Sequence, residues 1–309
     1  MSAGHDHRDH ARALSGVEGS GDRSRHRRLL LVAIGITAAV LAVEAVGGWV
    51  SNSLALLSDA GHVLTDLLAL ILAYGAFVLA GRPANDRKSF GYYRVEILAA
   101  LVNGALLFVI AGAILRESII RLGVVKEVRT GPMILTALIG LAGNLIAMAV
   151  VSRARSNLNL RGVFLHLLGD TLSSVAVVAA GLIVLATGWN ALDAATGAVI
   201  AVVIVIGAIR LLRESVDILL EACPTGIDRG RVEERILSLP EVHAVHDLHI
   251  WSITSGMHAL SGHVVLSPGS HSTDDLLGRL QELLRDEFQI AHTTFQIETE
   301  AFEEIGHVH

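Results

Sequence analysis

The amino-acid sequence predicts a multi-pass α-helical membrane protein with six transmembrane helices, followed by a small α+β cytoplasmic domain of order α-β-β-α-β. Of its 309 residues, 52% are apolar and only 17% are charged. Soluble domains contain about 25% charged residues, so this composition favours a membrane protein. The apolar residues also fall into six long runs, and a stretch of soluble composition follows the last of them.

The six apolar runs are bounded by charged or turn-forming residues. We place them at about 29–50, 54–80, 95–115, 133–151, 163–187 and 192–211. Each is long enough to cross about 30 Å of hydrocarbon as a helix. A single run also fits a buried helix of a soluble core, but six in succession with short linkers do not. Residues 1–28 are polar and do not resemble a cleaved signal peptide, so we expect the first run to stay in the membrane.

Basic residues lie mainly before the first run, in every second connection, and after the last run. This set comprises Arg23, Arg25, Arg27, Arg28, Arg82, Arg87, Lys88, Arg94, Arg153, Arg155, Arg161, Arg210 and Arg213. The other connections contain only Lys126 and Arg129. Because cytoplasmic loops are enriched in lysine and arginine, we expect both termini in the cytoplasm. We also expect the protein to reside in the cell membrane.

The chain divides into a polar tail (1–28), a transport domain (29–213) and a soluble domain (214–309). In the soluble part, an Asp228 cap precedes a helix, and two strands at about 245–253 and 259–266 flank a Ser255-Gly256 turn. A leucine-striped helix begins near Thr273, and 293–299 alternates as a last strand. Two helices on one face of a small sheet leave its other face for a partner, and self-association is the simplest choice.

Two histidine-aspartate pairs lie inside apolar runs. His62 and Asp66 are four residues apart in the second run, and His166 and Asp170 repeat the spacing in the fifth. This spacing puts both members of a pair on one helix face. One such pair could be a polar contact between helices, but two at similar depth indicate an ion path.

Together the four side chains supply two imidazoles and two carboxylates, a tetrahedral nitrogen and oxygen set that suits zinc. The two negative charges would neutralise a divalent ion. Without the ion, carboxylates this close cannot both stay charged in the bilayer, and protons are the natural substitute. Metal and protons should therefore compete for the site.

Four segments resemble the cation diffusion facilitator family. They are SLALLSDAGH at 53–62 followed by Asp66, SFGYYRVE at 89–96, NLNLRG at 157–162, and HDLHIW at 246–251. The resemblance implies a homodimeric secondary active transporter, not an enzyme, that exports zinc in exchange for protons by alternating access. It also implies a metallochaperone-like cytoplasmic domain, and it assigns the transport ligands to His62, Asp66, His166 and Asp170. Two histidines with two aspartates resemble the zinc-transporting branch.

The same resemblance implies a metal site in the cytoplasmic domain. Its candidate ligands are His246, His263, Glu298 and His271, which could instead be solvated surface residues. We prefer the solvated interpretation for His249, His258 and His292. The tail motif HDHRDH at 5–10 could collect zinc, although such tails are more often disordered and only weakly metal-binding.

Several other polar residues lie at or near membrane depth. By resemblance, Arg94 pairs with Asp217 or Glu221, the alternative being a simple anchor at the lipid surface. Asp59 could line the ion path, or it could cap the helix or form a hydrogen bond near the helix end. The remaining residues of this set are expected to join helices by hydrogen bonds: Glu44, Asn103 and Asn144. We expect Cys223, the only cysteine, to be inert.

Other functions remain open at this stage. The same ligands also suit cadmium, cobalt, nickel or iron, and affinity order alone does not choose among these ions. A membrane metalloenzyme or a membrane-anchored zinc sensor represents a different class. The sequence has no His-Glu-x-x-His protease motif and no closely spaced histidine boxes in its apolar runs. A sensor would leave the two buried histidine-aspartate pairs unexplained.

Overall fold

The structure is a computed structural model that describes residues 20–80, 85–152, 158–269 and 273–299. The tail motif HDHRDH at 5–10 lies outside these ranges. The chain divides into two compact units. The first unit comprises Met1–Val78 and Asn103–Ile209, and the second comprises Leu79–Val102 and Arg210–His309.

Six long helices precede the soluble part in the described residues, which confirms the predicted six-helix membrane domain. They are α1 (Ser20–Ser51), α2 (Leu54–Ala80), α3 (Arg94–Gly123), α4 (Thr130–Ser152), α5 (Leu158–Thr187) and α6 (Ala191–Leu219). Five of them contain apolar stretches long enough to cross a membrane, and α4 contains a shorter one, Thr130–Ile146. Large apolar side chains such as Ile146, Val199 and Val203 are exposed on these helices, as expected of surfaces that face lipid.

Small residues let the helices of the first unit approach closely. A Cβ atom added at Gly143 of α4 would lie 3.3 Å from Val40 of α1, and one added at Gly47 would collide with Thr136. Small side chains at helix contacts are typical of membrane proteins, because packing rather than the hydrophobic effect holds helices together in lipid. Glycine at these positions therefore brings α1 against α4.

The beginning of α2 is fixed to α6 by a buried carboxylate. Asp193 accepts hydrogen bonds from the Ser53 hydroxyl and from the backbone nitrogens of Leu54 (2.7 Å) and Ala55 (3.3 Å). The first-turn nitrogens of a helix have no partner within the helix, so a carboxylate placed there both satisfies and orients it. One turn further along, Ser58 donates to the carbonyl oxygen of Gly197 at 3.0 Å.

The second unit contains the predicted α-β-β-α-β order. Its elements are α7 (Arg229–Leu237), β1 (Val242–Thr254), β2 (Met257–Leu266), α8 (Thr273–Phe288) and β3 (Ile290–Glu298). Asp228 caps α7 by accepting from the nitrogens of Gly230 and Arg231. Gly256 turns the β1–β2 hairpin with a φ of 73°.

The sheet has the order β1-β2-β3, with β1 antiparallel and β3 parallel to β2. The parallel pairing requires a crossover connection, which α8 supplies. Buried apolar residues of both helices pack together with those of the sheet: Val232, Ile236, Leu248, Ile250, Leu260, Val264, Leu276, Leu280, Leu284 and Ile290. This core fixes the strands that carry the histidines described below.

The contact between α2 and α6 leads to a prediction about stability. A Cβ atom added at Gly197 would lie 2.9 Å from the carbonyl carbon of Leu54, whereas one added at Gly207 on the same helix meets nothing within 4 Å. We expect Gly197→Ala to lower the thermal unfolding temperature of the detergent-solubilised protein by several degrees, because the backbones must separate. Gly207→Ala serves as the control and should leave it unchanged. Equal unfolding temperatures for the two variants would contradict this description of the contact.

Candidate metal centre

Helices α2 and α5 bring three of the four predicted transport ligands together. The Nε2 atom of His62 lies 2.9 Å from Oδ1 of Asp170. One ligand atom from each of His62, Asp66 and Asp170 lies within 4.8 Å of the others. Asp170 is buried, whereas His62 and Asp66 are partly exposed. The cluster therefore joins two helices and remains open on one side.

His166, the fourth predicted ligand, lies in α5 one turn before Asp170. Its side chain is outside the part of the chain that the structure describes. Its role as a ligand therefore stays a prediction.

The donor set of the cluster suits a divalent transition metal. Ligands about 2.0–2.2 Å from a tetrahedral zinc ion lie roughly 3.4 Å from one another. The three described ligand atoms, all within 4.8 Å of one another, need only small side-chain rotations to reach that spacing. An ion at this place would replace the direct contact between His62 and Asp170, and two carboxylates would balance its charge.

A second polar layer lies beside the ligands. Asp59 of α2 accepts hydrogen bonds from the hydroxyls of Ser173 (2.6 Å) and Ser174 (3.2 Å) of α5. Asn144 of α4 donates to Ser174 at 3.1 Å, which confirms the hydrogen bond between helices predicted for it. Asp59 does not cap a helix end but joins α2 to α5. The sequence pattern did not predict that either serine contacts Asp59, although both serines follow Asp170 by nearly one turn.

One further prediction about a buried polar residue is wrong among the described residues, the hydrogen bond between helices expected of Glu44. Both carboxylate oxygens of Glu44 are buried there without a hydrogen-bond partner, as is the side-chain oxygen of Asn103. The hydrogen bond between helices predicted for Asn103 stays a prediction. Glu44 is fully buried, so its carboxyl group requires another explanation.

A second cluster of possible ligands lies on the sheet of the second unit. Glu298 at the end of β3 contacts Nε2 of His246 and Nδ1 of His263, each at 2.9 Å. The two imidazole rings are 5.0 Å apart and nearly perpendicular. The structure thus brings together three of the four residues predicted for a cytoplasmic site. The fourth, His271, lies outside the described residues.

The charge on Glu298 is stabilised by its neighbours. Burial by itself would raise the pKa of the carboxyl group. Hydrogen bonds from His246 and Gln296, together with the charges of His246 and His263, outweigh burial and hold the pKa below its usual value. A carboxylate that stays ionised is the form that binds metal.

A bulge in β1 shapes this second cluster. His246 pairs with His263, whereas His249 pairs with Ser261, so β1 contains one extra residue between these positions. Asp247 occupies the bulge with a φ of 51°, and its Oδ2 lies 3.8 Å from Nε2 of His263. Bulges redirect side chains and occur often beside functional sites. Strand alternation could not predict this acidic group, although aspartate is among the residues that tolerate positive φ.

Three further histidines of the second unit lie outside the cluster. His249 contacts Asp247 at 2.9 Å. His258 contacts Ser252, and burial lowers the pKa of its imidazole. His292 packs edge-on against Phe90. None of the three belongs to a ligand cluster among the described residues, and the solvated interpretation stays a prediction.

The predicted charge pair near the start of α3 involves Glu221. Nη2 of Arg94 donates to Oε1 of Glu221 at 2.7 Å, and both side chains are largely exposed. Asp217, the other candidate, lines a cavity of about 580 Å³ together with Cys223. Partial desolvation raises the pKa of the exposed Cys223 thiol, which disfavours the reactive thiolate form.

Glu221 has an unusual backbone conformation. Its φ is 59°, and the nitrogen of the following Ala222 donates to the carbonyl oxygen of Asp217 at 2.9 Å. This arrangement ends α6 in the way that glycine usually ends a helix. A glutamate here is less favourable than glycine, which suggests that its side chain is needed at this position.

Comparisons with known proteins show which family the chain belongs to. Residues 30–220 match the cation efflux transmembrane domain, and residues 224–300 match the cytoplasmic domain of cation efflux proteins. The chain is 40% identical over 299 residues to the metal cation efflux system protein CzcD of Cupriavidus metallidurans, covering 96% of this chain and 90% of that protein. It is 39% identical over 274 residues to the zinc transporter ZitB of Escherichia coli (88% and 87%). The cadmium, cobalt and zinc/H(+)-K(+) antiporter of Bacillus subtilis is 37% identical over 281 residues (89% and 90%).

Among solved structures, the metal-bound C-terminal domain of CzcD from Cupriavidus metallidurans is 42% identical and covers 23% of this chain and 99% of that domain, with a TM-score of 0.23. The family matches extend over both parts of the chain, and the relatives match along most of their length. The membrane-enzyme alternative therefore falls away. The chain belongs to the cation diffusion facilitator (cation efflux) family and is a multi-pass membrane transporter of divalent metal cations, not an enzyme.

Proposed function

We propose that this chain exports zinc from the cytoplasm in exchange for protons, by alternating access, through a site made of His62, Asp66, His166 and Asp170. The observation that carries the proposal is the cluster of His62, Asp66 and Asp170, which joins α2 to α5 inside the membrane-spanning unit. Ionisable residues at this depth are costly unless they serve an ion or proton path. A membrane-anchored sensor would have no use for them.

The donor types support zinc as the cargo. Imidazole nitrogen suits zinc and similar ions, whereas sites built only from oxygen favour harder ions such as manganese. The related ZitB proteins are named as zinc transporters. Cadmium and cobalt are the second candidates, because the Bacillus subtilis relative is named for both ions as well as zinc. Nickel and iron also fit the ligands.

Protons are the proposed counter-ion. Asp66 and Asp170 place two carboxylates within one cluster, where removal of the metal leaves like charges close together. Protonation relieves that repulsion, so metal release and proton uptake favour each other. The Bacillus subtilis relative is named as an antiporter that uses H(+). A proton gradient directed inward would then drive the metal outward.

We assign a second, resident zinc site to His246, His263 and Glu298. Their contacts provide two nitrogen donors and one ionised carboxylate on neighbouring strands. Asp247 is within 3.8 Å of His263 and is the nearest further donor. His271 is the fourth candidate by family resemblance.

The proposed assembly is a homodimer in the plasma membrane, with both termini in the cytoplasm. The domain matched by residues 224–300 is cytoplasmic in the family, and α6 leads directly into it. Its two helices pack on one face of the sheet and leave surface for a second copy. The pair of Arg94 and Glu221 would keep the start of α3 and the end of α6 in register.

The first prediction tests the transport site. Asp170→Asn keeps the shape of the side chain but removes one of the charges that balance the metal. We expect zinc uptake into inverted vesicles under an imposed pH gradient to fall to the level of vesicles without the protein. The exposed Asp86→Asn is the matched control and should transport normally. Zinc uptake at the wild-type rate by Asp170→Asn would place the transport site elsewhere. Measuring the uptake of cadmium and cobalt by the wild-type protein in the same assay ranks the candidate ions.

The second prediction tests the site on the sheet. In the Asp170→Asn background, His263→Ala should reduce the zinc bound at equilibrium dialysis by about one ion per chain, because three ligands cannot become two without a large loss of affinity. His249→Ala is the control and should bind as much zinc as its parent. Undiminished binding in the His263→Ala protein would rule out this cluster.

The third prediction concerns the charge pair. Arg94→Glu should impair zinc transport, and adding Glu221→Arg should restore part of it by reversing the pair. Asp217→Arg in place of Glu221→Arg introduces the same charge four residues earlier, in the last turn of α6, and should not restore transport. Equal rescue by both partners, or by neither, would leave Arg94 as a simple anchor at the lipid surface.

A further inference from the structure

Glu44 is a buried acid that the proposed transport site does not use. It lies in the last third of α1 and is fully buried. Neither carboxylate oxygen has a hydrogen-bond partner among the described residues. An ionised carboxylate in such surroundings would be far less stable than in water, so the neutral acid is the form that this site favours.

The carboxyl group of Glu44 lies against Gly140 of α4. A Cβ atom added at Gly140 would collide with Oε1 of Glu44, so only glycine leaves room for the acid against the helix backbone. One turn along α4, Asn144 donates to Ser174, which in turn donates to Asp59. Glu44 thus lies one helical turn, about 5.4 Å of rise, from the polar layer around Asp59.

The order of these groups along the helices gives a direction. The soluble part that follows α6 is cytoplasmic, so α2 and α4 begin on the outer side of the membrane and α5 ends there. Asp59 precedes His62 on α2 by three residues, and Ser174 follows Asp170 on α5 by four. Gly140 precedes Asn144 on α4. The layers therefore run outward from the metal ligands to Asp59 and then to Glu44.

The charged groups that act on Glu44 are all acidic. Asp59 and Asp66 of α2 and Asp170 of α5 add to burial in disfavouring a negative charge at Glu44. From α4 it meets Gly140, and the nearby Asn144 is uncharged. A divalent cation bound between Asp66 and Asp170 neutralises the negative charge that these two carboxylates share when no metal is bound. Metal binding therefore lessens the repulsion, which acts together with burial to keep Glu44 protonated.

We propose that Glu44 is a proton-binding residue of the transport cycle, which takes up a proton from the outer side as metal leaves and gives it up as metal binds. It is not a metal ligand but lies outward of the ligands, with Asp59 and Ser174 between. The inference rests on the proposed exchange of zinc for protons. It adds one exchanged proton that the four ligands do not account for.

Counting protons tests this inference. Zinc is added to saturation to the full-length protein in weakly buffered detergent solution, and a pH indicator reports the protons released. Glu44→Gln keeps the shape of the acid but has no proton to lose. We expect it to bind as much zinc as wild type while releasing about one proton fewer per chain. In the Asp170→Asn background the transport site does not load, so Glu44→Gln should there make no difference.

Equal proton release by wild type and Glu44→Gln, at equal zinc binding, would overturn the inference. Infrared difference spectra on zinc addition provide an independent measurement should Glu44→Gln bind zinc poorly. The wild-type spectrum should lose a carbonyl band of a protonated carboxylic acid, and this band should shift in Glu44→Asp, which keeps the acid. Identical bands in the two proteins would also overturn it. If wild type binds no more zinc than Asp170→Asn, the proposed transport site itself fails, independently of Glu44.

Discussion

A divalent ion that crosses hydrocarbon must meet ligands whose own charge is costly to bury. In the proposed transport site, the contact between His62 and Asp170, with Asp66 beside it, satisfies this constraint. When no metal is bound, the His62 imidazole contacts the Asp170 carboxylate, and a bound metal would replace that contact. Protons in the metal-free state and the metal in the bound state both keep the site close to neutral. Neither state is then so stable that a bound ion could not leave.

Contacts between the helices of the first unit support this arrangement. Asp193 fixes the first turn of α2, the helix that carries His62 and Asp66, by accepting from its backbone nitrogens. Gly47 lets α1 approach α4, and Gly197 does the same between α6 and α2. These contacts are made by a carboxylate, by backbone groups and by glycines. They can therefore position the proposed ligands without a lysine or arginine, which would compete with the metal.

The sequence predicted the helices and the residues of the proposed transport site, but not the groups between them. The four-residue spacing placed His62 and Asp66 on one helix face, and its repeat in the fifth apolar run predicted an ion path. It could not assign Asp59 or Glu44, since a lone acid in an apolar helix is equally a hydrogen-bonding residue and a proton carrier. Only burial and the positions of partners on other helices separate these roles. The bulge at Asp247 could not be predicted for a similar reason, because strand alternation gives no sign of an inserted residue.

The two clusters share donor types but differ in the charge that each can tolerate. At the proposed transport site, two carboxylates would balance a divalent ion completely, and the apolar surroundings favour that balance in every state. At the proposed site on the sheet, Glu298 is the one carboxylate in contact with two histidines, so a bound metal would leave net positive charge beside water and near Asp247. Solvent can stabilise that charge, so a metal there would need no proton to replace it. The same donor types would thus favour exchange at the first proposed site and retention at the second.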